Sequence, residues 1–278
     1  MSPTKILHIS DLHFGRVDAF VEKAFWKWLE QHPVDISVVS GDLTQRAKAR
    51  EFAAAARFVS GLPEPRLVVP GNHDIPLYNL FKRFVTRLAR YQKYISADLR
   101  PVIRTPQVLM AGINTAHSMT IKDGKVTHSQ LEHLKNVFGE SGPEIKILVT
   151  HHPLHLLQAT ADERVASRSE FAVEILRESG VDILLSGHYH HGRSGISTVQ
   201  REERYDAILV QSGTSLSTRY RGQNNSFNVL HVDQDLIEVE RFEWHLEQRT
   251  FLSAQIDRFV RAQDQWRSEA SPVAAAAT

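Results

Sequence analysis

Histidine and aspartate recur in five short motifs of this 278-residue chain, which contains no cysteine. In chain order the motifs read SDLHFG, SGDLTQ, PGNHD, THHP and SGHYHHG. Carboxylate and amide oxygens combined with imidazole nitrogens suit Mn, Fe, Zn or Co. The lack of cysteine excludes disulfides, thiolate metal sites and cysteine nucleophiles. The pattern therefore indicates a metal centre built from His, Asp and Asn side chains.

The candidate metal ligands are seven side chains from these motifs. They are Asp11, His13, Asp42, Asn72, His151, His188 and His190. Asp11 and His13 are two residues apart, a spacing that directs both side chains to one side of an extended segment. We expect the same of His188 and His190, with Tyr189 on the opposite side. Each motif alone is a weak signal, but five in one chain are a strong one.

Apolar runs typical of buried strands precede the motifs and recur along the chain. They are KILHIS (5–10), ISVVSG (36–41), RLVVPG (66–71), QVLMAGIN (107–114), IKILVTH (145–151), DILLSGH (182–188) and, later, AILVQSG, FNVLHVD and IEVERFEW. Helical patterns lie between several of these runs, at 19–32, 46–62, 78–95 and 167–180. Each motif thus follows a predicted strand, where α/β sheets place their ligands.

Strands that alternate with helices predict an α/β fold, here two sheets packed face to face and flanked by helices. Residues 251–262 are compatible with a strand or a helix, and we favour a strand. The chain shows no interdomain linker, so we predict one domain over residues 1–265. The stretch SEASPVAAAAT is small, polar and without pattern, and we predict a disordered tail over residues 266–278.

Composition limits the classes of partner. The chain has 33 Lys and Arg against 32 Asp and Glu, a formal net charge of +1, which argues against a nucleic-acid polymer as partner. We find neither a run of 18 apolar residues nor a secretory signal, so we expect no membrane contact and a cytoplasmic location. The sequence does not indicate an oligomeric state.

The order D-x-H, G-D, G-N-H-D, H and G-H-x-H resembles that of the calcineurin-like metallophosphoesterase superfamily, over residues 5 to about 245. Within it, LHISDLHFG, VVSGDLTQ and VVPGNHD resemble most closely the bacterial class III cyclic-nucleotide phosphodiesterases, the cyclic-AMP type. Protein phosphatases of the superfamily usually read G-D-x-x-D-R-G and G-N-H-E, whereas this chain reads GDLTQRA and GNHD. The G-D-x-x-D-x-W of the UDP-diacylglucosamine hydrolases is also absent.

The resemblance implies a four-layer α-β-β-α sandwich of two mixed β-sheets, and two metal ions that are divalent or of mixed valence. It assigns the residues Asp11, His13 and His190 to one metal ion. The second metal ion receives Asn72, His151 and His188. Asp42 would bridge the two metal ions. The metals would be drawn from Mn, Fe, Zn and Co.

The function implied is that of a metal-dependent phosphoric diester hydrolase acting on cyclic nucleotides or other small phosphodiesters. Two divalent cations generate hydroxide from a shared water near neutral pH, and that hydroxide attacks phosphorus in line with the leaving oxygen. His73, backed by Asp74, stands at the position from which superfamily members assist the leaving alkoxide. We therefore predict catalytic roles for His73 and Asp74.

Two alternatives remain at this point. One is a phosphomonoesterase or protein phosphatase that uses the same metals, and the other is a non-catalytic scaffold of the same fold. The presence of all seven ligands argues against the scaffold. Among neighbouring residues, we favour a structural role for His152 and no role for His191, while the roles of Arg219 and Arg221 stay open.

Overall fold

The structure is a computed structural model that describes residues 2–77, 85–117, 123–139, 142–157, 163–199, 205–219 and 222–269. Arg221, the first part of the helix predicted over 78–95, and the residues after 269 lie outside the described residues. Two mixed β-sheets pack face to face, and helices cover the outer face of each. The predicted four-layer α-β-β-α sandwich is therefore confirmed.

The first sheet has seven strands. They are β1 (Thr4–Ile9), β2 (Ile36–Val39), β3 (Arg66–Val68), β10 (Ser226–Val232), β11 (Leu236–His245), β12 (Thr250–Ala262) and β13 (Gln265–Glu269). Their order is β13-β12-β11-β10-β1-β2-β3. β1, β2 and β3 are parallel, and β10 runs antiparallel to β1. The strand favoured for 251–262 is confirmed as β12.

The second sheet has six strands. They are β4 (Val102–Arg104), β5 (Val108–Gly112), β6 (Ile145–Val149), β7 (Ile183–Ser186), β8 (Arg193–Val199) and β9 (Tyr205–Gln211). Their order is β4-β5-β6-β7-β9-β8, in which β5, β6, β7 and β9 are parallel and the two edge strands antiparallel. The carboxyl ends of the parallel strands therefore share one end of the sheet.

Fully buried aliphatic side chains fill the space between the sheets, such as Ile6 and Val38 from the first sheet and Ile147 and Leu185 from the second. Both faces of the central strands are covered, which explains why these strands appear in the sequence as continuous apolar runs. Burial of these side chains is the main contribution that holds the two sheets together.

Within the described residues, five α-helices cover the outer faces of the sheets. They are α1 (Ala19–Gln31), α2 (Ala49–Gly61) and α3 (Ala89–Tyr94) on the first sheet, and α4 (His128–Gly139) and α5 (Ser169–Glu178) on the second. Asp18 is the N-cap of α1, and its side chain accepts from the backbone N–H of Phe20 and Val21. None of the described helices is long and apolar enough to cross a bilayer.

The predicted start of a disordered tail at residue 266 is wrong. Residues 265–269 form β13, which pairs with β12. Trp266 is 3% exposed, and its indole Nε1 donates to Asp182 Oδ1 over 2.8 Å. A buried, hydrogen-bonded tryptophan anchors this segment to the domain. Residues 270–278 of the predicted tail lie outside the described part of the chain.

Candidate metal centre

The loops that follow β1, β2, β3, β6 and β7 meet at one end of the sandwich. Backbone hydrogen bonds join them in pairs: Asp11 N donates to Gly41 O at 3.0 Å, and Gly187 N donates to His151 O at 3.1 Å. The first three strands belong to one sheet and the other two to the second sheet. Both sheets therefore contribute side chains to a single site, and the structure brings all seven predicted ligands together there.

Asp11, His13, Asp42 and His190 form the first cluster, in which candidate ligand atoms all lie within 4.8 Å of one another. The Nε2 atoms of His13 and His190 are 3.2 Å apart, and Asp11 Oδ1 lies 3.1 Å from His190 Nε2. Each of the four residues is buried. Asp11 Oδ1 accepts no hydrogen bond from the described residues, and a buried carboxylate oxygen of this kind suits a cation.

His151 and His188 belong to a second cluster that also includes His152. The amide oxygen of Asn72 is 3.2 Å from His151 Nε2. The ring of His188 lies 5.2 Å from that of His151, centroid to centroid. This group therefore offers imidazole nitrogens and a neutral amide oxygen, the donor set expected for a second metal ion.

Asp42 stands between the two clusters. Its Oδ2 is 3.8 Å from His13 Nε2 in the first cluster, whereas its Oδ1 is 3.4 Å from His151 Nε2 in the second. The two oxygens of one carboxylate thus face two different groups of ligands. Together with the orphaned Asp11 oxygen and the oxygen and nitrogen donors, this geometry fits a pair of cations that share Asp42.

Most of the predicted ligands have a left-handed backbone conformation. Their φ angles are 53° for Asp11, 48° for His13, 53° for Asp42, 78° for His188 and 64° for His190. The expectation of extended D-x-H and H-x-H segments was therefore wrong. A positive φ at a non-glycine residue costs about 1–3 kcal/mol and persists where the surrounding structure enforces it. Here the tight turns direct the side chains back over the strand ends.

Three glycines of the motifs leave room for ligands that come from other motifs. A Cβ atom on Gly41, whose φ is 99°, would lie 2.6 Å from His151 Nδ1. A Cβ on Gly71 would overlap Asp42 Oδ1, and one on Gly187 would overlap Ser10 Oγ. Each of these glycines precedes a predicted ligand in the sequence. Glycine is required there because a neighbouring loop approaches too closely to leave space for a side chain.

The second nitrogen of two ligand imidazoles is held by a backbone carbonyl. His151 Nδ1 donates to Ser40 O over 2.8 Å, and His190 Nδ1 donates to Arg219 O over 3.3 Å. Carbonyl oxygens only accept, so Nδ1 of each ring carries a proton and Nε2 faces the centre. Ser10 Oγ donates to Asp11 Oδ2 over 2.7 Å. Neither Ser10 nor Ser40 was predicted as a site residue from the sequence, although each is the first residue of a motif.

The sequence profile of the calcineurin-like phosphoesterase family matches residues 4–192, more than half of the chain. The chain belongs to this family. Membership confirms the resemblance in the motifs and makes the protein a metal-dependent phosphoesterase, with divalent metals as its cofactors.

Two relatives share about a quarter of their aligned residues with this phosphoesterase. It is 26% identical over 197 residues to a probable cyclic nucleotide phosphodiesterase from Synechococcus sp., covering 66% of this chain and 72% of the relative. It is 24% identical over 205 residues to the 3',5'-cyclic adenosine monophosphate phosphodiesterase CpdA of Escherichia coli K12, covering 67% and 69%. Purple acid phosphatase PPD1 from yellow lupin seeds shares the fold, with a TM-score of 0.67 at 13% identity. That match covers 92% of this chain but only 53% of the plant enzyme.

Burial and neighbouring groups shift the pKa values of several residues in the phosphoesterase centre. Burial raises the pKa of the Asp42 carboxyl, but the neighbouring His151, His73 and His13 together outweigh burial and hold that pKa well below its ordinary value. Burial also lowers the pKa of His151, but Asp42, Asp11 and the backbone carbonyl of Ser40 together outweigh burial, so that this pKa rises to about 9. For His188, burial and the neighbouring His151 lower the pKa to about 3. His188 is therefore neutral, the form that binds metal.

The sequence predicted that Asp74 orients the ring of His73, whereas in the structure the Asp74 carboxylate has other partners. Its Oδ1 accepts from the backbone N and the hydroxyl of Thr44, both at 2.9 Å. Its Oδ2 accepts from the backbone N of Leu43 at 3.1 Å and of Gly71 at 2.9 Å. Both oxygens are thus used to tie the SGDLTQ loop to the PGNHD loop. These contacts position the two loops, and a catalytic role for Asp74 stays a prediction.

His73 lies beside the first cluster, its ring edge-on to that of His13 with centroids 4.9 Å apart. Its backbone N donates to Asp42 Oδ1 over 2.8 Å. The ring Nδ1 donates to the carbonyl oxygen of Gln45 over 2.9 Å, and Nε2 lies 3.0 Å from Arg219 Nη1. Because a guanidinium only donates, Nε2 accepts in this arrangement. A catalytic role for His73 stays a prediction.

His152 lies behind the second cluster. Its Nδ1 is 2.8 Å from the Thr115 hydroxyl, and its ring lies 4.5 Å from that of His188, centroid to centroid. Thr115 therefore holds the His152 ring against a predicted ligand, in agreement with the structural role that we favoured. The expectation that His191 has no role stays a prediction.

Proposed function

We propose that this phosphoesterase hydrolyses small phosphodiesters, cyclic nucleotides among them, at a pair of metal ions. The observation that carries the proposal is the position of Asp42, whose two oxygens face two separate groups of ligands. A single cation would not need two such groups. We infer that Asp11, His13 and His190 hold one metal ion, that Asn72, His151 and His188 hold the other, and that Asp42 joins them.

When bound, a cation pair of this kind lowers the pKa of water and neutralises the charge that develops on phosphoryl oxygens. The residues of the chain supply the frame for that chemistry. Ser40 and Arg219 fix the ring orientation of His151 and His190 through their carbonyl oxygens, and His188 is kept neutral by burial. Because the ligands are held in advance by hydrogen bonds, little rearrangement opposes metal binding.

The preference for diesters over monoesters is supported by the two curated relatives, both described as cyclic nucleotide phosphodiesterases. It is also supported by the loop after β2. There Gln45 and Ala47 replace the second Asp and the last Gly of the phosphatase motif G-D-x-x-D-R-G. Arg46 matches the arginine of that motif. Hydrolysis of phosphomonoesters is therefore the competing proposal, and the same experiment tests it.

The test is a comparison of substrates on metal-loaded protein. We expect hydrolysis of bis(p-nitrophenyl) phosphate to exceed that of p-nitrophenyl phosphate, to vanish on chelation and to return with Mn²⁺. A panel of 3',5'- and 2',3'-cyclic nucleotides and glycerophosphodiesters then identifies the preferred substrate, with Zn²⁺, Co²⁺ and Fe²⁺ as alternative metals. Activity that survives chelation, or a monoester rate above the diester rate, would contradict the proposal.

The matched variants are Asp42→Asn and Asp264→Asn. Each replaces one carboxylate by an amide of the same shape, and each residue has a positive φ, which Asn tolerates. Asp264 lies in the exposed turn between β12 and β13. Asp42→Asn should lower diesterase activity by more than about 100-fold, because a metal ligand contributes more than an outer-shell residue does, and should reduce metal content. Asp264→Asn should change neither.

Three further statements belong to the same proposal. We infer one catalytic domain that extends through Glu269, where β13 ends. We infer a small phosphodiester substrate rather than a nucleic-acid polymer, in keeping with the net charge of +1. The cytoplasmic location remains a prediction from the sequence, to be checked by fractionation of cells that express the tagged protein.

A further inference from the structure

Arg219 lies on the loop that joins β9 to β10 and reaches the edge of the metal centre. The loop is held from several sides. Ser215 N donates to Ser10 O over 3.1 Å, and Thr218 N donates to Arg16 O over 2.9 Å. The side chain of Asn225, 0% exposed, donates to Ser217 O over 2.9 Å. These contacts place the half-buried Arg219 at a defined position beside the ligands.

The side chain of Arg219 is paired with His73. Its Nη1 lies 3.0 Å from His73 Nε2, while His73 Nδ1 donates to the carbonyl oxygen of Gln45. The imidazole ring therefore has its proton on Nδ1 and accepts from the guanidinium at Nε2. In this arrangement the hydrogen-bond donor next to the first cluster is Arg219, not His73.

We propose that Arg219 binds a phosphoryl oxygen of the substrate and that His73 holds its guanidinium in place. This inference rests on the proposed function, because it deepens the same site. A guanidinium stays charged at every pH relevant to the enzyme and has five N–H donors in a planar fork that matches phosphate oxygens. It can therefore hold the imidazole of His73 and meet a phosphoryl oxygen at once. Arg219 is in these terms a substrate-binding residue, and His73 is its positioning residue.

The backbone and the side chain of Arg219 serve different purposes, which makes the proposal separable from a structural role. The carbonyl oxygen accepts from the metal ligand His190. That contact persists in any substitution at this position, because it involves only the main chain. Loss of the side chain should therefore leave the metal ions bound while it weakens the affinity for phosphate.

The experiment uses Arg219→Ala and Arg219→Gln, with Arg267→Ala as the control that removes one exposed arginine from β13, in the C-terminal hairpin. Two measurements are made on Mn²⁺-loaded protein: metal content, and the Kd of inorganic phosphate by calorimetry. We expect the two Arg219 variants to retain both metal ions and to bind phosphate about 10- to 100-fold more weakly, the range for a lost hydrogen bond to a charged group. Arg267→Ala should bind phosphate like the wild type.

Rescue and steady-state kinetics complete the test. Free guanidinium ion at millimolar concentration should restore part of the phosphate affinity of Arg219→Ala, which a merely structural residue would not allow. KM for bis(p-nitrophenyl) phosphate should rise in parallel with the phosphate Kd. His73→Ala should weaken phosphate binding less than Arg219→Ala does, with both metal ions retained.

The proposal would be overturned by an unchanged phosphate Kd in both Arg219 variants. Loss of a metal ion in these variants would also overturn it, because the effect would then pass through His190. Phosphate binding does not depend on turnover, so the two proposals can fail separately. Arg219-dependent phosphate binding without hydrolysis of any diester would refute the proposed function and support the role of Arg219.

Discussion

Asp42 and His151 illustrate how single residues in this centre suit the metal-binding role proposed for them. Neither would be charged in a buried site by itself, because burial disfavours the charged form of each. Their contact of 3.4 Å contributes to a reversal of this effect, together with the other charged and hydrogen-bonding neighbours: the pKa of Asp42 is held low and that of His151 is raised to about 9. Without metal, the positive charge of the His151 imidazolium compensates part of the negative charge of Asp42, as a cation would.

Metal affinity should therefore depend on pH through His151. At pH 7 this residue is protonated without metal and must lose its proton to become a ligand. We expect apparent affinity for Mn²⁺ to rise about tenfold per pH unit below pH 9, the dependence for one released proton. Calorimetry at pH 7 in buffers of different ionisation enthalpy should detect release of about one proton. A centre that binds metal at pH 7 without proton release would contradict this.

The grouping of the seven predicted ligands at one site could be anticipated from the sequence, because residue type and motif order carry that information. The backbone conformation could not. A D-x-H pair reads as an extended segment, whereas Asp11 and His13 both have positive φ. Such conformations are enforced by contacts between loops distant in the chain, such as the hydrogen bond from His13 N to Asp42 O. Local sequence contains no record of these contacts.

At the scale of elements, the loops at the strand ends are packed tightly, and side chains of one loop occupy the space that a glycine of another loop leaves open. Gly187→Ala tests this packing, because its new Cβ would overlap Ser10 Oγ and approach Asp11 Oδ2. We expect a loss of about 1–3 kcal/mol in the free energy of unfolding, the range for overpacking, together with weaker metal binding. Urea denaturation and metal titration measure the two effects.

Gly139→Ala is the matched control. A Cβ at Gly139, the last residue of α4, meets no described atom within 4 Å. The substitution should leave metal binding unchanged and should keep or slightly raise stability, since alanine favours the helix over glycine. Equal destabilisation by the two substitutions would show that glycine flexibility, and not close approach, explains Gly187.

Elements with a continuous apolar run or a strong helical pattern could be predicted from the sequence, and weaker ones could not. β4 has three residues and β8 reads RSGISTV, so neither carries the run of a buried strand. α4 was also missed, although a local signal was present. Thr127 N donates to Gln130 Oε1 over 2.8 Å, and the T-x-x-Q spacing is typical of a capping box at a helix start.

At the scale of the whole molecule, the two sheets are joined at the end opposite the metal centre. Asp182, just before β7 of the second sheet, accepts at Oδ1 from Arg261 Nη2 at 2.6 Å and from Trp266 Nε1 at 2.8 Å. Both donors belong to the β12–β13 hairpin of the first sheet. Asp182 Oδ2 accepts from the backbone N of Lys146 over 2.8 Å. One carboxylate thus links the C-terminal hairpin to the second sheet.

Asp182→Ala should destabilise the fold without affecting the chemistry. Loss of hydrogen bonds to a largely buried carboxylate, with Trp266 Nε1 left unpaired, should cost about 2–4 kcal/mol. Metal content and kcat per folded molecule should stay at the wild-type values, because the metal centre lies at the other end of the strands. Asp235→Ala, at an exposed position near the same hairpin, should have little effect on either quantity. A fall in kcat for Asp182→Ala would show that the two ends are coupled.

The glycines of the motifs carry a consequence for how such a centre can arise or be transplanted. The side chain of His151 lies in the space left open by Gly41, and that of Asp42 lies in the space left by Gly71. The side chains of Ser10 and Asp11 lie beside Gly187. Three of the five motifs thus each accommodate a residue of another motif. A single loop grafted onto a foreign sandwich would bring ligands without the space that they occupy. The motifs form one interlocking unit, which has to be inherited or designed as a whole.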